Sequence, residues 1–106
     1  TYSNGQSGSI YKQHAPLANA CLPPGQWQSY DIYYRAPVFH EDGALESPAY
    51  ITVIQNGILI QNNADIKGKT MYIGHPWYEK HGPLPLELQD HGNPVSYRNI
   101  WIRELK

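Results

Sequence analysis

The segment AYITVIQ-Asn56-Gly57-ILIQNN constrains the fold more than any other part of this chain. Two β-branched runs meet at an Asn-Gly pair. A two-residue turn of type I′ needs positive φ at both central positions, which Asn and Gly tolerate best. The segment therefore predicts a β-hairpin, with Val53 facing Ile60 and Ile54 facing Leu59. Apolar residues occupy both faces of that ribbon, so each face needs some cover.

The rest of the chain extends this β pattern. Residues 26–36, QWQSYDIYYRA, have strand composition. Trp27, Ser29, Asp31, Tyr33 and Arg35 fall on one face, and Gln28, Tyr30, Ile32 and Tyr34 on the other. Pro23-Pro24-Gly25 marks a loop before them, and residues 37–48 read as a loop built on Pro37, Glu41-Asp42-Gly43 and Pro48. A strand is predicted over residues 84–89, with Leu84, Leu86 and Leu88 on its core face. Another is predicted over residues 97–105, with Ile100 and Ile102 opposite Trp101 and Arg103. No stretch keeps a helical period beyond two turns. The expectation is an all-β domain.

Composition narrows the function. Charged residues make up 16% of the 106 residues and net charge is −1. A partner with a phosphate backbone would meet no basic stripe, so nucleic-acid binding is not expected. Nine Tyr and three Trp stand against one Phe. Rings with a polar handle suit wet surfaces and can stack on the C–H faces of sugars, although Tyr is also common in plain β-sheets. Cys21 has no second cysteine to pair with and is read as a buried small side chain. No apolar run reaches the roughly 18–20 residues that span a bilayer. There is no signal peptide or initial Met, so the chain reads as starting at a processed or cut end.

Four or five strands, several apolar on both faces, leave more surface to cover than a chain of this size can bury by itself. The sequence therefore reads as one β-sandwich domain over residues 1–106, incomplete on its N-terminal side.

Several segments together carry a resemblance. NGQSGSIY, GQWQSYDIYYRAP, AYITVIQNGILIQNN and HGPLPLELQDHGNPVSYRNIWIREL resemble the 3-keto-disaccharide hydrolase family, formerly a domain of unknown function. The resemblance runs from about Asn4 to Leu105. It implies a concanavalin A-like jelly-roll of two antiparallel sheets, of which this chain would be the C-terminal half. It also implies a carbohydrate substrate and a secreted, periplasmic or cell-surface location.

The implied substrates are sugars oxidised to a ketone at C3. That ketone acidifies the C2 proton, since the resulting carbanion delocalises into an enolate. Loss of the proton lets the aglycone leave C1, and water can then add to the unsaturated product. Such chemistry needs a base near C2, and a divalent metal ion or aligned donors near the C3 oxygen.

In the predicted strand over residues 84–89 the leucines claim the core, which sends Glu87, Gln89 and His91 toward the groove or solvent. His91 is the natural base or metal ligand near neutral pH, with further ligands supplied by the missing half. Gln89 suits sugar hydroxyls, and the two are the catalytic candidates. Trp77, Lys80, His81, Glu87 and Asp90 are the substrate-binding candidates. Trp27 and Trp101 are read as core, Arg98 and Arg103 as structural, and His14, His40 and His75 as ordinary loop residues. No HxH, HExxH or CxxC spacing appears, so a metal held by this half alone is not expected. The rival reading is a sandwich that binds glycans, or assembles with its own copies, without catalysis.

Overall fold

Asn56 and Gly57 have φ of 52° and 81°, the left-handed pair that a type I′ turn requires. Around them, β4 (Ala49–Gln55) and β5 (Ile58–Ile66) form an antiparallel hairpin in the computed structural model. The structure describes residues 7–10, 13–68, 78, 81–88, 92 and 94–105. Within them, β1 (Tyr30–Arg35) adds to the other edge of β4, giving a three-stranded sheet of order β1-β4-β5. The remaining strands, β2 (Val38–Phe39) and β3 (Leu45–Ser47), pair as a small antiparallel sheet. The protein is all-β, with both sheets antiparallel. No helix among the described residues is long and apolar enough to cross a membrane.

The hairpin forms where expected, but its register departs from the expectation beyond the first rungs. Ile54 faces Leu59, yet Val53 faces Gln61 and Ile51 faces Ala64. Nine residues of β5 lie against seven of β4, so two residues of β5 are extra and are absorbed in bulges. The first bulge buries Ile60 and Gln61 together, although neighbours in a regular strand point to opposite faces. At the second, Asn63 takes φ 46° and donates its N–H to the Thr52 hydroxyl at 2.9 Å.

One face of the large sheet carries the core. Tyr30, Ile32 and Tyr34 of β1 lie beside Gln55, Val53 and Ile51 of β4. Val53 and Ile60 pack with Ala20 from the segment before β1, and Ile51 lies against them. That segment is tied to β5 by hydrogen bonds. Leu17 N–H donates to the Ile60 carbonyl at 2.8 Å, and the Gln61 amide donates to the Gly8 and Ala15 carbonyls at 3.0 and 3.3 Å. Gly8 lies so close that a Cβ there would stand 2.8 Å from Ile60 Cδ1.

Strand β1 begins at Tyr30 rather than at residue 26. Residues 28 and 29 are instead drawn to the hairpin turn, where Ser29 N–H donates to Asn56 Oδ1 and Asn56 N–H donates to the Ser29 carbonyl, each at 2.9 Å. The Gln28 carboxamide oxygen accepts from Leu22 N–H, Gln55 Nε2 and Asn56 Nδ2. The loop expected over residues 37–48 contains β2 and β3. Each is too short to show an alternating pattern, and their connection is closed by Ala44 N–H on Asp42 Oδ1 at 2.9 Å.

Other expectations are overturned. Residues 84–88 and 97–105 form no strand among the described residues, because alternation alone cannot make a ladder without a neighbouring backbone to exchange hydrogen bonds. Leu84, Leu86, Leu88, Ile100 and Ile102 are accordingly exposed rather than core. Trp27 is 50% exposed and Trp101 73% exposed. Their rings instead receive the guanidinium groups of Arg98 at 3.9 Å and Arg103 at 5.9 Å. Cys21 is exposed, not buried; its loop lies on the surface, and its sulfur receives the Gln28 side-chain N–H at 3.4 Å.

Candidate functional site

The short β2–β3 sheet places Phe39 where two other rings meet it. Phe39 pairs with Leu45, and His40 N–H donates to the Ala44 carbonyl at 2.7 Å, closing the hairpin beside it. The Tyr78 ring meets Phe39 edge-on, with centroids 6.1 Å apart and planes at 69°. The His81 imidazole does the same at 5.6 Å and 70°. Such edge-to-face pairs place the positive ring edge on the negative ring face.

Tyr78 is fixed at its other end by the large sheet. Its hydroxyl accepts Ala49 N–H at 2.9 Å and donates to the Ile66 carbonyl. Ala49 and Ile66 are the terminal pair of the β4–β5 ladder, so the phenol is inserted as its last rung. One residue thus joins the two sheets. Partial desolvation pushes the hydroxyl of Tyr34, a half-exposed residue of β1, above its ordinary pKa, and Tyr78 adds to the shift.

His81 Nδ1 lies 2.8 Å from the Gly82 carbonyl. A carbonyl can only accept, so Nδ1 carries the proton, and whenever the ring is neutral Nε2 keeps its lone pair. His81 is exposed, and its Nε2 has no hydrogen-bond partner among the described residues.

Two further histidines have carboxylate neighbours. His40 Nδ1 lies 3.5 Å from Glu46 Oε1, both side chains being more than half exposed, where such pairs contribute little. His14 donates through Nε2 to the Asp65 carbonyl at 2.6 Å, with Asp65 Oδ1 at 3.3 Å. Gln13 adds its carboxamide to Lys67 N–H and the Gly68 carbonyl. These contacts fasten the N-terminal segment to the end of β5. His14 is therefore a packing residue rather than the plain loop residue expected. No three His, Cys, Asp or Glu side chains among the described residues are grouped to hold a metal ion.

The model of a family described as "3-keto-alpha-glucoside-1,2-lyase-like domain" matches residues 1–103. The chain belongs to that family. A crystal structure from Parabacteroides distasonis, described as "a putative glycosyl hydrolase", is similar over 77% of this chain, with 56% sequence identity and a TM-score of 0.74. The match covers 35% of that chain. None of the curated proteins compared matches this one. The all-β architecture of antiparallel sheets agrees with the jelly-roll that the resemblance implied.

Of the residues the sequence singled out in this 3-keto-glucoside lyase-like domain, the structure brings His81 into the aromatic cluster. Glu87 is exposed on a segment outside any strand. Trp77, Lys80, Gln89, Asp90 and His91 lie outside the described residues, as does His75. The sequence reading missed Phe39 and Tyr78. Tyr78 stands three residues before His81 in the YEKHGP segment, and Phe39 is the lone phenylalanine of the chain. Their partnership depends on the β2–β3 hairpin, which no local pattern announces.

Proposed function

We propose that this domain takes part in cleaving 3-keto-glycosides by proton abstraction at C2, elimination at C1 and hydration. Membership of the 3-keto-glucoside lyase-like family over residues 1–103 carries the reading. The anchoring of Tyr78 and His81 on two sheets supports it, since a fixed wall is what a substrate site requires.

The base takes the C2 proton, and the electron pair moves into the C3 carbonyl as an enolate. Return of that pair forms the C1–C2 double bond while the C1–oxygen bond breaks, and the departing aglycone oxygen takes up a proton. Water then adds its hydroxyl to C1 and a proton to C2, and the balance is hydrolysis with no change of redox state. His91 is our choice for the base, and Gln89 for hydrogen bonds to the reacting sugar. Trp77 would stack on the ring, with Lys80, His81, Glu87 and Asp90 on its hydroxyls.

The chain spans 35% of the length of the solved relative, and Leu84, Leu86 and Leu88 are exposed along one segment. We take these as support for the chain being the C-terminal half of a jelly-roll whose other half covers those leucines and completes the site. A location outside the cytoplasm fits a glycoside substrate of this kind.

The test uses full-length protein and a 3-keto-glucoside with a detectable aglycone. Release of aglycone, reduced about 10²–10⁴-fold in His91→Ala, is expected for loss of a general base. Full activity in that variant would remove His91 from the mechanism. An inactive parent would favour the rival reading of a glycan-binding or self-assembling sandwich, for which the exposed leucines also speak.

A further inference from the structure

The imidazole of His81 has an arrangement that a free surface histidine would not need. Its ring lies edge-on to Phe39, which is also the partner of Tyr78. The Tyr78 hydroxyl is spliced between Ala49 and Ile66, so the ring array is referenced to the backbone of β4 and β5. A histidine held on one side by an aromatic ring and at Nδ1 by a carbonyl has its remaining nitrogen aimed by its supports.

We propose that Phe39 and Tyr78 are positioning residues that hold His81 with Nε2 as a hydrogen-bond acceptor for a hydroxyl of the bound sugar. The proposal rests on the reading above that the domain takes a 3-keto-glycoside. It adds that β2, a strand of two residues, belongs to the substrate wall. The chemistry fits a neutral polyol. A sugar hydroxyl is a donor, and Nε2 in this tautomer is an acceptor. Phe39 and Tyr78 act through His81 and make no demand on the reacting atoms. Their loss should therefore weaken binding in the ground state and the transition state alike, raising KM with kcat little changed.

The experiment has two readouts on the full-length protein. The first is the His81 tautomer, from long-range proton–nitrogen correlations of ¹⁵N-histidine-labelled protein at a pH where the ring is neutral, with the signals assigned by their loss in His81→Gln. The parent should show Nδ1 protonated and Nε2 bare. Phe39→Leu should lose this preference and Phe39→Tyr should retain it. A parent protonated on Nε2, or a Phe39→Leu variant with an unchanged tautomer, overturns the proposal.

The second readout is kinetic. Phe39→Leu, Tyr78→Phe and His81→Gln should each raise KM for the 3-keto-glucoside roughly threefold to tenfold, the worth of one hydrogen bond. Phe39→Tyr should stay near the parent. A fall in kcat at constant KM is what a partly unfolded preparation gives, and it would overturn the positioning role. Aglycone release tests the reaction and the tautomer tests the geometry, so an inactive parent with the expected tautomer refutes the function and leaves the arrangement standing.

Discussion

The guanidinium of Arg98 lies 3.9 Å from the centre of the Trp27 ring. Trp27 precedes β1, and Arg98 lies in residues 94–105, so this contact ties to the region of β1 a segment that no ladder among the described residues holds. Arginine stacks well because its planar cation is weakly hydrated and attracted by the negative face of indole. With Trp27 half exposed, the pair should contribute about 0.5–1 kcal/mol. A double-mutant cycle of Arg98→Ala and Trp27→Ala, followed by chemical denaturation, should give a coupling energy in that range. Additive effects of the two substitutions would show that the stacking contributes nothing.

Gly8 makes a sharper demand on the core. Its φ is +88°, and a Cβ would meet Ile60 Cδ1 at 2.8 Å and Gln55 Oε1 at 3.1 Å. Ile60 and Gln55 are the largest fully buried side chains among the described residues, so neither has free room to retreat. Gly57 has a similar φ of +81° with nothing within 4 Å of the added carbon. Gly57→Ala should therefore cost only the backbone term, about 1–2 kcal/mol. Gly8→Ala should cost that and about 1–3 kcal/mol more for overpacking. Equal shifts in denaturation midpoint for the two variants would mean that the segment before β1 moves away from β5 at little cost.

The same contacts show what a sequence can and cannot disclose. The Asn56-Gly57 turn was legible because its φ requirement is local and few residue pairs meet it. The bulges at Ile60 and Asn63 were not, since a period-two reading assumes one residue opposite one. Alternation in residues 84–88 was correctly visible as a pattern. It predicted a strand that does not form because pairing depends on a neighbour the pattern does not contain. His81 could be singled out from its KHG setting. Its support by Phe39 could not, because that contact depends on how the β2–β3 hairpin meets a segment far along the chain.

Alkaline pH should weaken the protein through Tyr34. Tyr34 is 55% exposed as a residue, but partial desolvation of its phenol raises its pKa from the ordinary 10.0, with a further contribution from Tyr78, so the effect is expected to be small. The folded state therefore keeps the phenol neutral at a pH where the unfolded chain has released its proton. With more protons bound in the folded state than in the unfolded one, stability falls as pH rises. The contribution is intact below pH 10.0 and is lost as pH climbs from there through the raised value of the folded protein. Phe at this position keeps the ring and removes the titration. Denaturation midpoints measured from pH 8 to 11, in roughly half-unit steps, should decline less steeply for Tyr34→Phe than for the parent once pH exceeds 10.0. Parallel slopes would assign the alkaline loss to other tyrosines and leave Tyr34 titrating alike in both states.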